Sequence, residues 1–293
     1  MLPVDQTERY DDLSDRVFAL YEAAEYDAAL RLLDAEAAGL EEWGAELAQV
    51  RACVLALNGD PDEAVRVLAE ATDAGAWWVP EILTGDDDLV ALRGRPEFER
   101  VVAVSRERVS DDVVPALVEL PDRPAVGVVV ALHGAGQTAA HARKDWGGVL
   151  DHGYGLVCVQ SSRRMSPRYR TWPDREQAAA DIRRALAELQ LHGPVIAAGF
   201  SAGGRAALDW ALTARPAPVA GVLAVAPALR ELPDAAANPL SPATVWVGTD
   251  DDLLEVVDGK AAELTAFGCT IERIPGLGHA FPAGFGELLA EAL

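Results

Sequence analysis

The chain has 293 residues, half of them hydrophobic, and a formal net charge of −22 at pH 7. That length holds one large or two ordinary domains, with enough apolar material for real cores. The negative charge excludes nucleic acid and anionic membrane surfaces as partners, since both would repel it.

Three cysteines, Cys53, Cys158 and Cys269, stand far apart and lack the spacing of a metal site or a disulfide framework. Cys158 lies in an apolar run and reads as a core thiol. The start, Met1-Leu2-Pro3-Val4-Asp5-Gln6, lacks the basic-then-apolar pattern of a secretion signal. No apolar run reaches membrane-spanning length. The expectation is a soluble, cytoplasmic protein.

Residues 8–105 read as helices, with apolar residues three and four apart in Leu13, Val17, Leu20 and Tyr21, and again in Ala29, Leu30, Leu32 and Leu33. The stretch 25–33 aligns with 60–68, and Ala29 and Ala64 match at an offset of 35 residues. That offset is close to the ~34-residue period of the tetratricopeptide repeat. Each stretch would open the second helix of a helical hairpin. The resemblance implies a short, degenerate tetratricopeptide-like domain over residues 1–110. Residues 76–105, with Trp77, Trp78, Leu89, Leu92 and Phe98, are suited to close its apolar end. Two roles stand open for this domain: a groove for a protein partner, or a body that shapes access to a site elsewhere.

Ser105–Asp112 is polar and reads as a linker. From there to residue 293, β-type runs alternate with helical ones. The expected strands are Val113–Leu120, Val126–Leu132, Leu156–Gln160, Val195–Phe200, Val219–Ala226, Thr244–Gly248 and Thr270–Ile274. The expected helices cover 139–151, 174–191, 202–214, 253–267 and 283–292. Several strands are continuously apolar, as strands covered on both faces should be. The expected fold class is therefore α/β, a doubly wound and mostly parallel sheet, behind an all-α helical domain.

Residues 195–204, Val-Ile-Ala-Ala-Gly-Phe-Ser-Ala-Gly-Gly, turn a strand sharply into a helix with Ser201 at the corner. Gly199 and Gly203 supply the tight turn, because a Cβ has no room there. This is the pattern of a nucleophile elbow. Ligands of doubly wound sheets sit beyond the carboxyl ends of the strands. The polar residues at those ends are His133-Gly134-Ala135-Gly136-Gln137, Ser201, Thr249-Asp250-Asp251-Asp252 and Gly278-His279. Their order is serine, acid, histidine.

With these four motifs, residues 113–293 resemble the α/β-hydrolases, on the branch of the dienelactone hydrolases and the small carboxylesterases and phospholipases. The resemblance implies a serine hydrolase of carboxylic esters or thioesters, with Ser201 as nucleophile and His279 as general base and acid. The family pattern points to Asp251 as the orienting acid, with Asp250 as the other candidate. Asp252 would cap helix 253–267. Ala202 and, by the family pattern, Ala135 would supply the oxyanion N–H groups. His133 would brace its turn. Gln137 has two readings, substrate contact or a bond to the loop backbone.

Ser161–Trp172 gathers Arg163, Arg164, Arg168 and Arg170 in an acidic chain. One reading makes Arg163 and Arg164 anion receptors, with Tyr169 and Trp172 as walls of the substrate site. The other pairs these arginines with surface carboxylates. Arg205, one helical turn after Ser201, reads as a residue below the site or as ordinary helix surface. No metal spacing and no phosphate loop is present, so no cofactor is expected. A peptidase of the same fold is the competing enzyme reading. The competing reading outside enzymes is a helical-repeat interaction protein on a non-catalytic hydrolase scaffold.

Overall fold

In a computed structural model the described residues are 6–187, 193–233 and 240–293. The chain divides into two compact units: Met1–Ser110 with Arg164–Tyr169, and Asp111–Arg163 with Arg170–Leu293. The segment 164–169, assigned to the sheet domain by the sequence reading, packs with the helices.

In the first unit, α1 (Gln6–Glu22) packs on α2 (Tyr26–Glu36), and α3 (Gly44–Leu57) on α4 (Pro61–Asp73). Ala29 and Ala64 are fully buried, so a small residue stands where each second helix meets its neighbours. Asp60 starts α4 by accepting the Glu63 N–H at 3.2 Å, and Pro61 takes a first-turn position that needs no donor. The short α5 (Pro80–Thr84) and α6 (Pro96–Arg108) follow. α6 extends into the stretch expected to be a linker. Trp78, Leu89, Leu92 and Phe98 join the buried residues of α3 and α4 in one core, and the Trp78 Nε1–H donates to the Ala45 carbonyl at 3.2 Å.

The segment 164–169 belongs to this unit through specific bonds. Glu46 Oε1 accepts the Ser166 hydroxyl at 2.5 Å and the Arg168 N–H at 3.0 Å. The Val79 N–H donates to the Met165 carbonyl at 2.7 Å. The phenols of Tyr10 and Tyr169 share a hydrogen bond of 2.5 Å. Burial raises the Glu46 carboxyl above its ordinary pKa.

In the second unit, among the described residues, seven strands form one sheet in the order β1-β3-β2-β4-β5-β6-β7. They are β1 (Leu117–Glu119), β2 (Gly127–Leu132), β3 (Tyr154–Val159), β4 (Val195–Phe200), β5 (Gly221–Val225), β6 (Ala243–Gly248) and β7 (Thr270–Ile274). β1 is antiparallel to β3, and every other pairing is parallel. Alternate residues feed opposite faces. Val128, Val130 and Leu132 enter one core with α8 (Arg175–Ala187) and α9 (Ala202–Thr213). Val129 and Ala131 enter the other with α7 (Ala139–Trp146) and α12 (Phe285–Ala292). This double cover is why β2 is apolar throughout.

Beyond shifts of one or two residues at several ends, three expected elements differ from the observed ones. β1 keeps only three residues, because Val113, Val114 and Leu120 stay exposed outside the ladder. Helix 253–267 is two short helices, α10 (Leu254–Gly259) and α11 (Ala261–Ala266), which break at Lys260. Helix 139–151 ends as α-helix at Trp146 and tightens into a 3₁₀ turn over Gly147–Leu150. The end of expected helix 174–191 lies outside the described residues, as do Met1–Asp5, where no secretion signal is expected.

Candidate active site

The strand order places the site. β3 and β4 lie on opposite sides of β2, so the chain leaves the ends of β2 and β4 in diverging directions and opens a crevice there. Leu132 of β2 pairs with Gly199 of β4, which sets the turn His133–Gln137 beside the corner at Ser201.

Ser201 has φ 52° and ψ −117°, a strained backbone for a residue with a side chain. Three bonds hold it there. Its N–H donates to the Val225 carbonyl, and its own carbonyl accepts from the Arg205 and Ala228 N–H groups, each at 3.0 Å. The flanking glycines are required by contact. A Cβ on Gly199 would run into the Gly203 carbonyl, and a Cβ on Gly203 would meet the carbonyls of Leu132 and His133. These are backbone atoms that cannot move aside. Among the described residues, the Ser201 hydroxyl makes no hydrogen bond. The Ala202 N–H at the start of α9 is likewise undonated there.

The turn after β2 is tied down everywhere except at one donor. The Gly134 N–H donates to Gln137 Oε1 at 2.8 Å, the Gly136 N–H to the Arg170 carbonyl at 2.9 Å, and the Gln137 N–H to the Gly134 carbonyl at 3.3 Å. The Ala135 N–H donates to no described residue, and Ala135 is exposed. His133 is fully buried. Its Nδ1–H donates to the Gly134 carbonyl at 2.7 Å, and its Nε2 accepts the Ser161 N–H at 3.3 Å. Burial pushes its pKa down to about 3, so the ring is a neutral brace. Of the two readings of Gln137, the backbone bond is the one observed.

β6 and β7 choose among the three aspartates. Gly248 pairs with Ile274, and the Asp250 N–H donates to the Leu277 carbonyl at 3.0 Å. This register brings the two following loops together. A Cβ on Gly248 would collide with the Leu277 carbonyl, so the approach needs glycine. Asp251 is buried and meets His279 Nδ1 at 3.0 Å and 3.2 Å from its two oxygens. Asp250 is exposed and takes the Thr249 hydroxyl at 3.1 Å. Asp252 caps nothing. Asp251 Oδ1 instead accepts the Leu253 N–H at 2.8 Å at the entry to α10. The His279 ring, 40% exposed in its side chain, lies 4.9 Å from the ring of Phe200, the residue before Ser201, and is tilted 35° to it.

The arginine-rich loop departs from the substrate-recognition reading. Trp172 is no wall: it is buried, with its Nε1–H on the His133 carbonyl at 2.7 Å. Tyr169 is held by Tyr10, and burial raises its phenol pKa. Arg163 pairs with Asp111 at 3.4 Å, and Arg170 with Asp112 and the Ser161 carbonyl at 2.5 Å and 2.8 Å. Arg164 donates to the Ser110 carbonyl at 2.9 Å and lies over the Trp77 ring. Arg168 pairs with Glu42 and lies over Trp43. Each guanidinium has an ion pair or a hydrogen bond within the protein, although Arg163 Nε is buried without a hydrogen bond. Arg205 is buried, donating to the Trp172 carbonyl and facing Asp209.

Among the described residues, one group brings metal-type ligand atoms within 4.8 Å of one another: Cys53, Asp86 and Asp88, in the helical unit. Local bonds already use it. Cys53 Sγ donates to Asp86 and the Tyr21 hydroxyl to Asp88.

Residues 9–113 match a family model described as A/B hydrolase-like, N-terminal domain. No curated protein matches the chain. Among solved structures, an uncharacterized protein from Bacillus cereus ATCC 10987 is 25% identical, with 97% of each chain covered and a TM-score of 0.50. Esterase PE8 is 20% identical over 62% of this chain and all of its own, with a TM-score of 0.47. Acyl-protein thioesterase 2 of Zea mays is 18% identical over 60% of this chain and 98% of its own, at 0.46. The chain thus has the α/β-hydrolase fold, preceded by a helical domain similar to the N-terminal domain of A/B hydrolase-like proteins.

Proposed function

We propose that the protein is a serine hydrolase of carboxylic esters or thioesters, acting through an acyl-enzyme. The observation that carries this reading is the His279–Asp251 bond at 3.0 Å. It occupies Nδ1 and leaves Nε2 as the base of a ring packed against Phe200, the residue before Ser201. A serine hydroxyl is a weak nucleophile until such a base takes its proton.

In the proposed reaction Ser201 Oγ attacks the acyl carbon as its proton passes to His279 Nε2. Asp251 orients the ring and stabilises the imidazolium. The tetrahedral oxyanion accepts the two undonated N–H groups, Ala135 and Ala202, which need no reorganisation as charge develops. Collapse expels the alcohol or thiol with the proton from His279. Water then enters by the same steps in reverse, and the acid leaves. No step calls for a cofactor.

The test is steady-state hydrolysis of p-nitrophenyl acetate, butyrate and octanoate, with aminoacyl p-nitroanilides as the peptidase comparison. The proposal predicts ester turnover that Ser201→Ala abolishes. Turnover of the anilides alone, or ester turnover that survives Ser201→Ala, would refute it.

A further inference from the structure

The first unit carries a cavity of about 210 Å³ between α1 and α3, and every residue that lines it belongs to that unit. Val17 of α1 and Val54 of α3 close its buried floor. Its walls stay open: Phe18 is 56% exposed, and Tyr21, Gln49 and Val50 are half-buried. Phe18 and Tyr21 stand at helical spacing on α1, their ring centres 5.7 Å apart and their planes 14° from parallel. The volume falls below the roughly 300–1,000 Å³ of drug-sized sites, so it suits a molecule of one ring and a short chain.

The cavity has one charged lining residue. Asp88, between α5 and α6, accepts the Tyr21 hydroxyl at 2.9 Å. A carboxylate oxygen of Asp86 lies within 4.8 Å of one of Asp88. Among the described residues neither aspartate pairs with a basic side chain. Arg93, on the same segment, is turned to the Asp86 carbonyl at 3.0 Å and the Asp87 carboxylate at 3.8 Å. No lysine, arginine or histidine lines the cavity. Unpaired carboxylates are common on so acidic a chain, but this one opens onto aromatic walls. Two carboxylates this close repel each other, and a bound cation would relieve the repulsion. An ammonium would also gain from the faces of Phe18 and Tyr21. The Gln49 side chain makes no hydrogen bond with any described residue, which leaves its oxygen free for an N–H.

We infer that the α1–α3 cavity binds a small arylalkyl ammonium ion, with its charge on Asp88 and its hydrocarbon against Phe18, Tyr21 and Val50. The inference does not rest on the Ser201 reading.

Calorimetric titration of the full chain tests it, with 2-phenylethylammonium as probe, 2-phenylethanol as the neutral ring and methylammonium as the bare head. The probe should bind at least about tenfold more tightly than either control and weaken with added salt. In Asp88→Asn its affinity should fall about tenfold, because the amide oxygen still accepts the Tyr21 hydroxyl but carries no charge. Phe18→Ala is the second variant. Phe18 is largely exposed, so this variant should keep the wild-type circular dichroism and melting temperature while affinity for the probe falls about threefold. An affinity unchanged in a folded Asp88→Asn or in Phe18→Ala, 2-phenylethanol binding as tight as the probe, or no probe binding at millimolar concentration would each overturn the inference.

Discussion

The turn after β2 and the loop after β3 leave neighbouring parallel strands at the same end of the sheet, yet they treat their polar groups in opposite ways. The turn binds the N–H groups of Gly134, Gly136 and Gln137 and leaves that of Ala135 free among the described residues. The loop gives every guanidinium of Arg163, Arg164, Arg168 and Arg170 an ion pair or a hydrogen bond, with Arg163 Nε held by the ion pair alone. The loop looks chemical in sequence and is structural in the fold. The turn looks like plain glycine and alanine, and it holds the free N–H that the proposed reaction gives to the oxyanion. Ala135 is exposed, so its undonated N–H is open to a ligand, whereas the arginine side chains of the loop are already engaged with the protein.

The comparison breaks most visibly at the site itself. His279→Ala should lower kcat/KM on an ester by at least about 10⁴-fold, because the members of such a triad act as a unit. A loss of less than tenfold would remove His279 from the reaction. Gly134→Ala places a Cβ 2.9 Å from Gln137 Oε1 and from Phe200 Cδ1. That should distort the turn and lower kcat by about 10²-fold, the scale of one lost oxyanion donor, with KM little changed. A change confined to KM would make the turn a binding element only.

The neutral His133 brace adds a pH dependence. Its folded pKa of about 3 lies below the ordinary 6.5, so in that window the unfolded chain binds the proton and the native protein does not. Its contribution is absent above pH 6.5. As pH falls toward 3, it costs up to about 1.4 kcal/mol of stability per pH unit. Urea midpoints of wild type and His133→Gln across this range should show a shallower fall in the variant. Parallel curves would contradict the buried, neutral assignment.

The smaller effects belong to the loop. Glu46→Ala leaves the Ser166 hydroxyl and the Arg168 N–H without their acceptor and should cost about 1–3 kcal/mol in thermal or urea unfolding. Alanine at Arg163, Arg164 or Arg168, one at a time, should cost less than about 1 kcal/mol, since these pairs are partly exposed. Each should change kcat/KM equally for charged and neutral esters. A selective loss on the charged ester would restore the substrate-recognition reading.

How legible all this is in sequence varies by element. β2, β4 and β7 are readable almost to the residue, because strands buried on both faces or bounded by turn residues leave continuous patterns. β1 is not readable, since an apolar run cannot tell which of its residues will find a ladder partner. The elbow is readable because glycine at 199 and 203 is a steric requirement. The family pattern favours Asp251 over Asp250, but the physical reason, the β6–β7 register that brings Asp251 to His279, is a long-range pairing that no local pattern shows. The fate of the arginine loop depends on Glu42, Ser110, Asp111 and Asp112, each at least 52 residues before the arginine it pairs with. No local pattern announces such partners, and the packing of 164–169 among the helices hides behind the same distance.

The central claim is that Ser201 is a nucleophile made reactive by His279. The most direct measurement is labelling of the intact chain with a fluorophosphonate, followed by peptide mapping of wild type and His279→Ala. The account predicts one label per chain, on Ser201, with a labelling rate that collapses in His279→Ala. A folded wild-type protein that takes no label, or a label on another residue, would contradict it.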